Sequence, residues 1–175
     1  VVRKAKNLSP VPHAVRGLVV GRFQPLHNGH VALIKHAQER CGEVAVVLGS
    51  AQAKPSLRNP FSVAERRAML AATFPGVPVF DVPDLHDAGR WVEHALAITG
   101  PVDRVFGNDD HTLDLFELAH LPVERPGLVE RTANEATAIR ALLAEDDPAW
   151  RKAVPPPVAK LLLEWDAPRR LRLLS

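Results

Sequence analysis

The stretch V15-R-G-L-V-V-G-R-F-Q-P-L-H-N-G-H30 decides how this chain is read. Its apolar run from Leu18 to Val20 has the make-up of a buried central strand, and Gly21 ends it. Arg22, Pro25, His27 and Gly29 follow before a helical pattern starts near His30. The order is strand, polar loop, helix, with basic and imidazole side chains at the strand's carboxyl end. Open α/β sheets bind ligands at that end, where the next helix also turns its unpaired N–H groups toward an anion.

Working outward, Val31, Leu33, Ile34 and Ala37 give residues 29–41 an apolar helical face, closed by Gly42. The branched run of residues 43–49 reads as a strand covered on both faces. A long loop, residues 50–60, leads to Ser62, which with Glu65 forms a capping-box pattern for the next helix. Strands near 77–82 and 102–106 and a short one around Val123 alternate with helices over 90–99 and through about 119. Such alternation predicts an α/β fold: a Rossmann-like, doubly wound parallel sheet of about five strands with right-handed crossovers and helices on both faces. A helix over 132–143 with a Thr132-to-Glu135 start, a short one opening at Asp146, and one over 157–165 add a small C-terminal helical part.

The 175 residues suit one domain and can bury roughly 70% of the extended-chain surface. Residues 1–14, with Pro10 and Pro12, read as a flexible lead-in, residues 15–168 as the domain, and 169–175 as a basic tail. The single cysteine, Cys41, agrees with a reducing compartment, and neither a membrane span nor a signal peptide is visible, so the expectation is a cytoplasmic protein. Net charge is only +2. Basic residues are spread without aromatic interleaving, which disfavours nucleic acid as a partner. The basic ends V1-V-R-K-A-K6 and R169-R-L-R172 are read as solvated tails.

H27-N-G-H30 has three readings. The histidines could ligate a metal, but no third and fourth ligand stands at a convincing spacing. They could be an ordinary loop histidine and a helix-starting one. Or both could donate to phosphate oxygens beside a helix N-terminus, a reading Gly29 supports because it lets backbone approach a ligand closely. The loop is not a G-x-x-x-x-G-K-[ST] phosphate loop and does not match G-x-G-x-x-G, which argues against P-loop kinases and hydride-transfer enzymes.

The chain resembles the HxGH nucleotidylyltransferase superfamily and, within it, the archaeal-type nicotinamide mononucleotide (NMN) adenylyltransferases. The matching stretches are residues 16–30 quoted above, G49-S-A-Q-A53, R58-N-P-F61 with Glu65 and Arg66, P83-D-L85 with Trp91 and Val92, G107-N108, and T137-A-I-R140. The resemblance implies transfer of AMP from ATP, with Mg²⁺, to NMN, giving NAD and pyrophosphate. It implies that His27, His30 and Arg140 act on the triphosphate as the catalytic group. ATP-binding positions would be Gly21, Arg22, Phe23, Gly29, Gly107, Asn108, Arg131 and Thr137. NMN-binding positions would be Ser50, Gln52, Arg58, Asn59, Asp84 and Trp91, the last stacking on the nicotinamide ring. Arg66 is a further candidate for phosphate, and no protein metal site is implied. A homo-oligomer is expected, a hexamer being one form.

Plainer readings stand beside these. Trp91 could pack in the core, Arg66 could be a solvated helix residue, Asp84 could cap a turn, and Asp109, Asp110 and His111 could cap the helix after the fourth strand. Asn134, Glu135 and Ala136 stand where the family has a serine-rich stretch before T-x-x-R. Glu135 either folds back onto Thr132 as its capping partner or faces the triphosphate, where it would repel it or help hold Mg²⁺. Two alternatives therefore remain: a related enzyme with another phosphate-bearing acceptor, and a non-catalytic nucleotide-binding regulator.

Overall fold

β1 (Arg16–Gly21) lies at the middle of a sheet because Leu18 and Val19 need cover on both faces. The computed structural model describes residues 14–127 and 135–175. The lead-in up to residue 13, Arg131 and the Thr132 cap lie outside the described residues. β1 pairs in parallel with β2 (Glu43–Leu48) on one side and β4 (Arg104–Phe106) on the other. β3 (Val79–Asp81) and β5 (Val123–Glu124) close the edges, so the order is β3-β2-β1-β4-β5, all parallel. The strand order reverses beside β1, which opens a crevice at the carboxyl ends of β1 and β4.

Successive side chains of the strands face opposite layers. Val19, Val46, Leu48 and Phe106 face α1 (Asn28–Arg40) and α2 (Val63–Thr73), where Leu33, Ile34, Met69 and Leu70 meet them. Leu18, Val20, Val47 and Val105 face α3 (Ala88–Thr99) and α4 (Asp110–Leu118), where Val92, Ala95, Leu113 and Phe116 meet them. The helices lie on both faces, as the alternation of elements predicts. Truncating one of these side chains to alanine typically costs about 2–5 kcal/mol, so the layers fix where the strand ends lie.

The C-terminal part is α5 (Glu135–Ala144), a 3₁₀ turn (Pro148–Lys152), α6 (Pro156–Glu164) and α7 (Ala167–Leu174), all packed on the α1/α2 layer. The basic stretch read as a solvated tail is helical instead. Ala167 and Leu171 are fully buried in that layer, and Arg170 pairs with Glu65 at 2.7 Å. Ala167, Leu171 and Leu174 recur at helical spacing, but the three arginines among them dominate the composition, so the stretch reads as charged.

β3 and β4 are shorter than expected for local reasons. Pro78 offers only its carbonyl, which accepts the Val46 N–H at 2.9 Å, and Pro83 lies just beyond the strand. Before β4, the Asp103 carboxylate accepts the Arg16 N–H at 2.8 Å. At the other edge, Glu124 gathers His36 Nε2 (2.9 Å), Arg40 Nε (2.9 Å) and Arg104 Nη1 (2.6 Å), fastening the C-terminal half of α1 to β4 and β5.

Candidate active site

Gln24 fixes the loop that leaves β1. Its Nε2 donates to the Phe61 carbonyl (2.9 Å) and its Oε1 accepts the Phe61 N–H (3.0 Å). The chain then enters α1, whose first turn is tied to the C-terminal part: the Asn28 backbone N–H donates to Ala153 O (2.9 Å) and its Nδ2 to Lys152 O (2.9 Å). His27 is the N-cap. Its Nδ1 accepts the Gly29 N–H (3.1 Å), while His30 Nδ1 accepts the His27 N–H (3.3 Å). With both Nδ1 atoms accepting, the proton of each neutral ring is assigned to Nε2. The rings lie 3.7 Å apart by centroid, with Phe23 4.5 Å from His30. Burial lowers His27 to about 4, and burial followed by the charge on His27 lowers His30 well below its ordinary value. Both are neutral donors near pH 7.

Basic groups surround this helix end. Arg140 on α5 is held by Gln24 O (2.8 Å) and Thr137 Oγ1 (3.0 Å). Burial lowers the Arg22 guanidinium and the charge of Arg58 adds to the effect; burial lowers Arg140, and the charges of Arg22 and Arg58 add to it. Mutual repulsion of this kind, at a helix N-terminus with no acidic residue in its own first turn, suits an anion.

Arg66 is neither the phosphate contact nor the solvated helix residue expected of it. Its side chain is fully buried and donates to the carbonyls of Gly49 (2.8 Å), Arg22 (2.9 Å) and Ser50 (3.3 Å). These carbonyls belong to the turns leaving β1 and β2, where Phe23 (φ 52°) and Ser50 (φ 50°) take left-handed backbone. Non-glycine residues in that region are strained by roughly 1–3 kcal/mol each, and the arginine fork helps hold them there. Its burial lowers its pKa, with Asp81, Arg22 and Asp84 acting at longer range.

A cavity of about 590 Å³ joins these parts. It brings together Gly21, Arg22, Phe23, His27, Gly29, His30, Ser50, Arg58, Asp84, Trp91, Asn108 and Arg140. Gly107, Thr137, Gln52 and Asn59 do not line it; Arg131 lies outside the described residues. Three of those four act from behind the wall. A Cβ on Gly107 would meet Leu113 Cδ2 at 3.2 Å, so the glycine lets α4 pack close. Thr137 orients Arg140. Gln52 latches Asp84, accepting its N–H (2.8 Å) and donating to its Oδ2 (3.3 Å). Asn59 instead turns inward, its Oδ1 buried without a partner among the described residues. Trp91 is 7% exposed, gives its Nε1–H to Pro83 O (3.2 Å) and meets Phe116 edge-on, while the rest of the ring borders the cavity. It serves the core and the wall together.

Glu135 also faces the cavity, its Oε2 3.3 Å from His27 Nδ1. Asp109 caps α4, accepting the Thr112 N–H at 2.9 Å, and lines the cavity as well. Sequence reasoning missed Leu85, Ala88, Thr112, Leu115 and Pro126 as lining and gave His111 only a capping role. The helical step from Asp109 to Thr112 was the available signal, since the first turn after a strand's carboxyl end faces the crevice. Among the described residues, no group of three or more His, Cys, Asp or Glu side chains could hold a metal.

Residues 18–86 match the family described as cytidylyltransferase-like. The chain is 34% identical over 164 residues to the nicotinamide-nucleotide adenylyltransferase of Methanosphaerula palustris, covering 91% of this chain and 97% of that one. It is 36% identical over 168 residues to the enzyme of the same name from Ignicoccus hospitalis, covering 92% and 98%. Among solved structures it is similar to a bifunctional NMN adenylyltransferase/ADP ribose pyrophosphatase from Francisella tularensis, with TM-score 0.72 at 16% identity, covering 93% of this chain and 52% of that one. The last likeness is one of fold.

Proposed function

The chain belongs to the nicotinamide-nucleotide adenylyltransferases within the HxGH nucleotidyltransferase superfamily, and we propose that it transfers AMP from ATP to NMN, forming NAD and releasing pyrophosphate. Membership of the family gives nucleotidyl transfer on nicotinamide-related substrates, and the nicotinamide-nucleotide adenylyltransferases among its relatives support NMN as the acceptor. The observation that carries the reading is the pair of neutral histidines capping α1 in one cavity with Arg22, Arg58 and Arg140.

A phosphate oxygen of NMN attacks the α-phosphorus of ATP as the bond to the bridging oxygen of pyrophosphate breaks. The attacking oxygen is already ionised near pH 7, so no general base is needed. The cost lies in joining two anions and supporting charge as pyrophosphate departs. Two Nε2–H donors, the α1 N-terminus and three guanidiniums meet that cost, and they are in position before the reaction starts. Mg²⁺ would enter with ATP as part of the substrate and would offset some of the phosphate charge. Trp91 and Asp84, the latter held by Gln52 from behind the wall, line the cavity and suit a flat aromatic acceptor.

A pyrophosphate-release assay with ATP, Mg²⁺ and NMN tests the reading. Pyrophosphate and NAD are expected in equal amounts, with the acid form of NMN and phosphopantetheine as comparison acceptors. ATP binding without AMP transfer to any acceptor, and so without pyrophosphate release, would overturn it in favour of a nucleotide-binding regulator.

A further inference from the structure

Glu135 brings a carboxylate to the one helix end that is otherwise arranged for an anion. Its Oε2 is 3.3 Å from His27 Nδ1 and sits so close over the first turn of α1 that a Cβ on Gly29 would be 2.7 Å from it. His27 Nδ1 already accepts the Gly29 N–H. An ionised Oε2 facing the same nitrogen therefore sets acceptor against acceptor; a proton carried on Oε2 makes that contact donor to acceptor, the carboxyl O–H and the Gly29 N–H then sharing the single Nδ1 lone pair as a three-centre bond. We propose that Glu135 and His27 share one proton when nucleotide is bound, so that Glu135 is a positioning residue that makes triphosphate binding take up a proton.

The inference rests on the proposed triphosphate site. The pair is neutral with the shared proton and carries −1 without it, whichever atom holds the proton. Before nucleotide arrives, the cations of Arg22, Arg58 and Arg140 share the cavity with it and favour the ionised carboxylate. Triphosphate engages those guanidiniums and adds its own negative charge, so the neutral pair becomes the favoured state. Among the described residues, the other titratable groups bordering the cavity are His30 on α1, Asp84 after β3, and Asp109, Asp110 and His111 at the start of α4. His30 Nδ1 accepts the His27 N–H, and among the described residues Glu135 is the carboxylate within ion-pair distance of His27 Nδ1. Burial already raises the Glu135 carboxyl above its ordinary value without nucleotide, and the uptake on binding is the further rise that the triphosphate charge adds.

The test is calorimetric titration of the full chain with α,β-methylene-ATP from about pH 6 to about pH 9, each pH in two buffers of different ionisation enthalpy. The analogue's own titration is common to every variant, so the readout is the difference between wild type and Glu135→Gln. Wild-type Kd is expected to rise with pH more steeply than that of the variant, by up to about tenfold per pH unit where the pair titrates, with up to one extra proton taken up. Glu135→Ser, checked for an unchanged Tm, repeats the comparison without an amide beside Nδ1 and should match Glu135→Gln. Parallel Kd curves and equal proton uptake in wild type and both variants overturn the proposal and leave the triphosphate site standing. Absence of analogue binding by wild type at every pH overturns the site reading, and this inference with it.

Discussion

At α2, Ser62 Oγ accepts the Glu65 N–H (3.2 Å) while Glu65 Oε2 accepts the Ser62 N–H (2.9 Å). At α1 the same reciprocal cap is built from two imidazoles, with His27 Nδ1 accepting from Gly29 N–H and His30 Nδ1 from His27 N–H. Both solutions satisfy donors that a helix start leaves unpaired. They differ in what they leave over. Glu65 places a negative charge on its own helix end and pairs it with Arg170 at 2.7 Å, so that end is closed. The imidazoles place no charge there and keep an Nε2–H each, so the α1 end stays open to an anion. Both helix starts share the same backbone geometry, so under the proposed function it is the residual chemistry of the capping atoms that fits the α1 end, and not the α2 end, for phosphate.

The sharpest way to break this comparison is to remove one member of each cap. His30→Ala is expected to lower kcat about 10²–10³-fold, the usual effect of losing one donor to developing charge. Ser62→Ala should leave kcat unchanged and cost about 1 kcal/mol of stability. Steady-state rates beside thermal melts of both variants check the contrast; similar losses of rate in the two would erase it.

α2 still serves the site, through Arg66. Arg66→Met leaves three carbonyls at the turns after β1 and β2 without their donor, and about 3 kcal/mol of stability should be lost. Arg66→Lys should recover little of it, because a point charge cannot span carbonyls that the planar fork reaches together. Urea unfolding of the two variants measures this. A loss of rate at unchanged stability would return Arg66 to the role of direct phosphate contact.

Much of this arrangement was legible in the residues. β1 ends where Gly21 interrupts its apolar run, and the Ser62–Glu65 cap forms as its spacing predicts. The alternation of strands and helices leads to the observed parallel sheet. What escaped the sequence depends on contacts between distant segments. Arg66 lies one helical step past a capping box and resembles a surface residue until the carbonyls of Gly49 and Arg22 are seen around it. Gln52 and Thr137 match the motifs yet stand behind the wall, because each spends its polar atoms orienting Asp84 or Arg140. For Glu135 the sequence left two positions open, folding back along its own helix or facing the cavity. The room above Gly29 accommodates the second.

The most direct test of the account is a crystal structure with α,β-methylene-ATP and Mg²⁺. Phosphate oxygens should lie within hydrogen-bond distance of Nε2 of both His27 and His30, at the N-terminus of α1, with Arg22, Arg58 and Arg140 around them and the Ser62–Glu65 cap unchanged. A triphosphate seated elsewhere, with either Nε2 turned away from it, would contradict the claim that the histidine cap is what makes this helix end a phosphate site.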